Sequence, residues 1–285
     1  MSLRTVIAST VVGVWLALPP TCFAATHALL IGVSGYPTLS IQHRLQGPAN
    51  DVRLLRATLQ RAGVPAGHIE VLADSVPGSL SLPTRSAILR SMEQLNLRTS
   101  AGDWVVLYFS GHGSQQPQTA RPGVYVEPDG LDEIFLPYDV GIWDSDRKLV
   151  SGAIIDDEIG ESISKLTRRQ VNVWAIFDTC HAGDMAKGVS RTEDGPVARF
   201  VPPSALGVPA GHLTLGAARK AATASFSGVK AMVPPGQQQV IAQAPQHRPQ
   251  TGRLVAFYAS HPDEPAAEES LAVPAELAKG SGNAE

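Results

Sequence analysis

Three continuous apolar runs organise the chain: His27 to Val33, Trp104 to Phe109 and Val171 to Phe177. Each is short and rich in aliphatic and aromatic residues, the pattern of a parallel strand buried on both faces. Ile69 to Leu72, Ile134 to Leu136 and Leu254 to Ala259 are further candidate strands. Between them the period changes. Leu45, Ala49, Val52, Leu55, Leu59 and Ala62 recur at spacings of three and four, which predicts a helix stopped by Gly63. Ile88, Met92 and Leu95 line a second helix over Thr84 to Leu97 with Pro83 at its start, and Asp157 to Leu166 reads as a third. This alternation implies βαβ units: an α/β fold, a three-layer α/β/α sandwich with a mostly parallel central sheet. The stretch from Ser110 to about Pro128 reads as a polar loop.

After Gly188 the pattern breaks down. Prolines at 202, 203, 209, 234, 235, 245 and 249 predict a long surface connection with one helical piece near Leu215 to Ala224. The N-terminus differs again. Arg4 precedes an uncharged, mainly apolar stretch from Val6 to Leu18, then Pro19, Pro20 and the small residue Ala24, which reads as a secretory signal peptide. The run is shorter than the ~20 residues of a spanning helix, which disfavours a membrane anchor. The expected divisions are a signal peptide at 1–24, a catalytic region at 25–188, an irregular linker at 189–251, and a final strand with a mobile tail at 252–285. The expected location is periplasmic or secreted, with no membrane association after signal cleavage. A net charge of −3 with no basic run argues against a nucleic-acid partner.

The chain has 2 cysteines. Cleavage after Ala24 removes Cys22 and leaves Cys180 alone in an oxidising compartment, unable to form an internal bridge. By itself such a thiol is either an inert core residue or a reactive one. Its neighbours decide. Cys180 stands in Asp178-Thr179-Cys180-His181-Ala182-Gly183, directly after one buried run, and a second run ends in Ser110-Gly111-His112-Gly113. Carboxyl ends of parallel strands form the ligand crevice of open α/β sheets, so Cys180 and His112 are a candidate nucleophile and acid-base pair. His181 is expected to point away from the pair.

These two motifs resemble those of the caspase-like cysteine peptidases (clan CD, peptidase C14), in the metacaspase and bacterial orthocaspase branch. Leu45 to Asp51, Asp132 to Pro137 and Ile155 to Glu158 add to the resemblance in the expected order, over about His27 to Gly183. It implies a caspase-like fold and an endopeptidase that hydrolyses protein or peptide bonds after Arg or Lys. Thiolate attack at the carbonyl would give an acyl-enzyme, with the N–H groups of Gly113 and Cys180 as the oxyanion hole. It places the specificity acids at Asp51 and Asp178, with Ser110 beside them. Two carboxylates suit the forked guanidinium better than the point charge of lysine. Other roles are open to these acids: a helix N-terminal charge for Asp51 and a turn ligand for Asp178.

The resemblance also implies a possible Ca²⁺ site at Asp132, Asp156 and Asp157. The fourth family acid falls at Lys187, with Asp184 nearby, and Asp156 and Asp157 serve equally as openers of the third helix. No cofactor is required otherwise. Lys187, Arg191, Arg199, Arg219, Lys220 and Lys230 lie in or near the irregular connection, where a basic-specific peptidase would cut itself. Two departures stand out: Ala182 replaces the serine usual in the cysteine motif, and the small-subunit-like part after Leu254 is short, which would leave the enzyme weak or the fold dependent on a partner that completes this region. The competing reading is a catalytically weak or inactive caspase-fold binding or regulatory module. A metal hydrolase is disfavoured by the absence of any HExxH-like spacing.

Overall fold

The structure, a computed structural model, describes residues 24–119, 130–179, 197–211, 213, 251–259 and 267–268. In chain order the principal elements are β1 (Thr26–Gly32), α1 (Gly47–Arg61), β2 (Ile69–Ala73), α2 (Arg85–Arg98), β3 (Trp104–Ser110), β4 (Gly113–Pro117) and β5 (Leu131–Phe135). They are followed by β6 (Trp143–Asp144), β7 (Leu149–Val150), β8 (Ile154–Ile155), α3 (Asp156–Arg168), β9 (Asn172–Asp178), β10 (Val197–Ala198), β11 (Leu254–Tyr258) and β12 (Ala267–Glu268). The central sheet has five strands in the order β11-β9-β3-β1-β2. All four pairings in it are parallel.

Side chains alternate across this sheet and so divide the core in two. Ala28, Leu30, Val106 and Tyr108 face α1 with Ala49 and Val52. Leu29, Ile31, Val105, Leu107 and Phe109 face α2 and α3, against Ile88, Met92, Leu95, Ile159, Ile163 and Leu166. Helices on both faces make the expected three-layer α/β/α sandwich, and burial on both faces explains why the strands read as unbroken apolar runs. Near the strand ends Phe109 stacks on Phe177 and Phe177 on Tyr258, each at 5.4 Å. A fully buried aromatic ring of this kind contributes roughly 1.5–3 kcal/mol by burial alone.

Local signals account for the element ends. Thr84 caps α2 by accepting the Ala87 N–H at 3.3 Å, so Pro83 lies outside the helix and not at its first turn. In α3 the carboxylate of Glu158 reaches back to the Ile155 N–H at 3.1 Å. Gly32 permits α1 to approach β1. A Cβ there would lie 2.8 Å from the Val52 Cγ2 and 2.9 Å from the Pro48 carbonyl oxygen.

Two expectations fail. The segment read as a polar loop contains β4, which pairs antiparallel with β5; β5 in turn pairs with β8. Its Ser114, Gln115 and Gln116 are buried. Ser114 donates to the Val201 carbonyl at 2.7 Å, and Gln116 accepts the Val150 N–H at 2.8 Å. These hydrogen bonds at Ser114 Oγ and Gln116 Oε1 offset part of the cost of burying polar side chains, so a hydrophobicity pattern does not register the strand. The expected surface connection also goes inward: Arg199, Val201, Leu206 and Val208 are all buried. Prolines between them erase any period that would have marked them as core. The candidate helix near Leu215 to Ala224 lies outside the described residues. The last strand, β11, sits at the sheet edge beside β9, and β10 pairs antiparallel with β12. Among the described residues no helix is long and apolar enough to cross a membrane.

Candidate active site

Strand register assembles the first part of the site. Gly32, Ser110 and Asp178 are aligned across the carboxyl ends of β1, β3 and β9. The close packing of α1 over Gly32 brings Asp51 to the same place. Ser110 donates toward Asp51 Oδ2 at 3.3 Å and lies 3.4 Å from Asp178 Oδ2. Tyr108, one turn of the pleat earlier, donates to Asp178 Oδ2 at 3.0 Å. Burial, then the Asp178 charge, pushes the Tyr108 hydroxyl far up, so it remains a donor. The three predicted specificity residues therefore do meet. Asp51 lies beyond the first turn of α1, which holds no acid, so a helix-dipole role does not explain it.

The space between them is occupied by Arg199. Its Nη2 lies 2.9 Å from Asp51 Oδ2, and its Nη1 is paired with Asp178 Oδ2. Nη1 also donates to Ser110 Oγ at 2.7 Å and to the Asp178 carbonyl at 3.0 Å. The guanidinium is buried and its Nε has no partner among the described residues. Burial opposes the charge on Arg199, but Asp178 and Asp51 outweigh it and raise its pKa. At Asp51 burial wins over the opposing pull of Arg199, and the carboxyl is raised.

The residues following β3 build the second part. Gly111 leaves room for the Tyr36 hydroxyl, which a Cβ at 111 would approach to 2.9 Å. That hydroxyl accepts the His112 N–H at 2.7 Å, and the two rings lie 4.9 Å apart. The loop carrying Tyr36 is itself tied down, since Asp74 accepts the N–H groups of Ser34 and Gly35, each at 2.8 Å. The His112 Nε2 lies 2.8 Å from the His43 carbonyl. A carbonyl only accepts, so Nε2 carries the proton and Nδ1 the lone pair. Burial pushes the His112 pKa down to about 4, although the backbones of His43 and Arg199 both favour the charged ring. The imidazole is therefore neutral near neutral pH.

Gly113 completes the site. Its N–H donates to the Arg199 carbonyl at 3.0 Å, and its carbonyl accepts the Val201 N–H at 3.0 Å. Arg199 to Val201 thus lies against Gly113 like a short added strand, with Phe200 bridged in parallel to Gly113.

Cys180, the expected nucleophile and half of the expected oxyanion hole, lies outside the described residues, as do His181, Asp184, Lys187, Arg191, Arg219, Lys220 and Lys230. The calcium acids are described. Asp132 is buried on β5 and accepts the Thr119 N–H at 3.2 Å, while Asp156 and Asp157 open α3. Among the described residues no three acids, histidines or cysteines gather into a group that would hold a metal ion. Sequence patterning missed the roles of Tyr36, His43 and Tyr108. His43 acts through a backbone carbonyl, which carries no residue-type signal. Arg199 was one basic residue among several.

A family model described as "Metacaspase, peptidase C14 domain" matches residues 26–187. A metacaspase-1B of Aspergillus fumigatus is 33% identical over 165 residues, covering 57% of this chain and 36% of that protein. A metacaspase-2 of Trypanosoma brucei brucei is 32% identical over 173 residues, covering 60% of this chain and 45% of that protein. The chain thus spans less than half the length of these curated relatives. A solved structure of a Geobacter sulfurreducens protein aligns with TM-score 0.46 at 24% identity, covering 64% of this chain and 59% of that one.

Proposed function

Given that this chain belongs to the metacaspase family of peptidase C14, we propose that it is a cysteine endopeptidase cutting after Arg, and less readily after Lys, through Cys180 and His112. The observation that carries the specificity is the chain's own arginine. Asp51, Asp178 and Ser110, the residues picked out for guanidinium binding, hold the Arg199 guanidinium by charge-assisted hydrogen bonds.

The reaction follows from the tautomer of His112. With Nε2–H committed to the His43 carbonyl, Nδ1 is the atom that takes the Cys180 proton. A neutral, buried imidazole favours proton transfer at the moment of attack over a standing ion pair. A free thiol near pKa 8.5 is only a few per cent ionised at neutral pH, and lowering that value by ~2 units would need ~2.7 kcal/mol. A base already in place lessens that demand. The Gly113 N–H, which holds a carbonyl oxygen in the present arrangement, receives the oxyanion. Nδ1–H then protonates the leaving amine, and water hydrolyses the acyl-enzyme.

The acids at 132, 156 and 157 supply oxygen ligands of the type calcium prefers, but among the described residues they do not gather into a group that would hold the ion. The leader-like residues 1–24 support export to the periplasm or beyond. A series of fluorogenic peptides with Arg, Lys or Asp at the cleaved position tests the reading. Turnover in the order Arg, then Lys, with none for Asp supports it; a preference for Asp would end the pocket assignment. A binding module draws on the same fact, that Arg199 fills the pocket. Covalent labelling of Cys180 by an arginyl chloromethylketone, abolished in His112→Ala, separates the peptidase from that alternative.

A further inference from the structure

Beside the acid pocket lies a cavity of the opposite character. It measures about 650 Å³; its polar lining includes Ser34, Arg44, Gln46, Asn50, Arg53 and Ser75, and no acid lines it. Helix α1 divides the two. Asp51 turns to Ser110 and Arg199, whereas Asn50 and Arg53 turn to the cavity. On another wall Arg44 follows His43, whose carbonyl holds His112. An occupant of the cavity therefore sits within a few residues of an arginine bound between Asp51 and Asp178.

The cavity is prepared for an anion. Arg53 Nη1 donates to Asn50 Oδ1 at 2.9 Å and its Nη2 to the Ser75 carbonyl at 3.4 Å, which holds the guanidinium across the cavity wall. Among the described residues neither Arg53 nor Arg44 is paired with an acid, whereas Arg85, Arg98 and Arg199 each are. The first turn of α1 holds no acid either and adds its positive dipole end. In the same lining Ser34 is 3% exposed, and its Oγ has no partner among the described residues. Asp74 accepts the Ser34 N–H at 2.8 Å and the Leu45 N–H donates to its carbonyl at 2.9 Å, so the residue is held in place. Burying an unsatisfied hydroxyl costs free energy that a bound acceptor returns. Arginines kept at a surface only for solubility need neither the restraint on Arg53 nor the orphan hydroxyl behind it.

We infer that this cavity binds an acidic side chain of the substrate, so that the enzyme selects an arginine accompanied, a few residues away, by aspartate or glutamate. The inference rests on the peptidase reading above. Arg44 and Arg53 supply charge-assisted hydrogen bonds to the carboxylate while the acid pocket takes the arginine. Two sites of opposite sign, one on each side of α1, also fix which way round the peptide lies.

Arginyl peptides carrying Glu, Gln or phosphoserine at successive positions before and after the cleaved bond are compared with the full chain at low and high salt. At one position Glu is expected to raise kcat/KM roughly tenfold over Gln, through KM, with the gain shrinking in salt. In the double variant Arg44→Gln, Arg53→Gln the Glu-to-Gln ratio falls toward one, and in Arg44→Lys, Arg53→Lys it recovers in part. The ratio is taken within each variant, so a general loss of activity or folding does not move it. Binding of the same peptides, fluorescently labelled, to Cys180→Ala is read by anisotropy and should show the same preference without turnover. Equal turnover and equal binding of Glu and Gln peptides at every position overturn the inference and leave the peptidase reading standing. A preference that survives loss of both arginines overturns it too. A gain for phosphoserine with none for Glu assigns the cavity to phosphate and overturns the carboxylate. Folded protein that cuts none of the peptides overturns the peptidase reading, and the anisotropy ratio then decides the cavity by itself.

Discussion

The His43 carbonyl accepts the Nε2–H of His112 at 2.8 Å and so leaves Nδ1 as the basic nitrogen. A backbone group does here what a carboxylate does in sites that pair a histidine with a nucleophile: it selects the tautomer and holds the ring. Being uncharged, it offers little compensation for a buried imidazolium, in keeping with a pKa pushed down to about 4 mainly by burial.

That shift has a consequence for stability. A histidine whose folded pKa lies below its ordinary 6.5 is bound by fewer protons in the folded state, so stability is fully present above that value and is lost as pH falls toward about 4. Urea titrations across this window should show wild type losing roughly 2–3 kcal/mol that His112→Gln does not lose. Equal losses in both proteins would show that other groups carry the acid sensitivity.

Tyr36 supports the same residue from behind. Tyr36→Phe leaves the buried His112 N–H without its 2.7 Å acceptor. A loss of about 1–3 kcal/mol in denaturant stability is expected, together with a fall in kcat larger than any change in KM, because the substrate pocket is untouched. Unchanged kcat would mean that the ring is held by packing alone.

Asp51→Asn tests the pocket from the other side. Removing one partner of a buried arginine leaves the second acid to hold it alone, and kcat/KM for arginyl peptides is expected to drop about 100-fold, equivalent to ~3 kcal/mol. The matching loss of stability should be smaller, since the Asp51 side chain is 32% exposed and partly solvated. Peptides with an uncharged residue at that position should be unaffected.

Arg85 and Glu158 join α2 to α3 through a forked pair at 2.9 and 2.6 Å, and Arg85 also reaches the Ala153 carbonyl at 2.8 Å. Arg85→Ala removes all three bonds and frees the carboxylate that caps α3. A destabilisation of about 1–2 kcal/mol is expected, discounted for partial exposure of both side chains. Arg85→Lys should recover only part of it by thermal melting, because the fork is lost.

Patterning along the chain sufficed for β1, β2, β3, β9 and β11, the helices between them and the parallel sheet, since burial on both faces leaves a local apolar run and helix burial a local period. The strand ends at Ser110 and Asp178 were legible for the same reason, whereas Asp51, beyond the first turn of α1, was marked only by the family resemblance. Only the tertiary structure decided what fills the pocket. Asp51 and Arg199 are 148 positions apart, and a buried ion pair leaves no periodic trace at either end. Polar β4, tied by hydrogen bonds to distant residues, and His43, acting through its backbone, were hidden likewise. Apolar burial is written locally in residue type; the pairing of polar groups is settled only when distant segments meet.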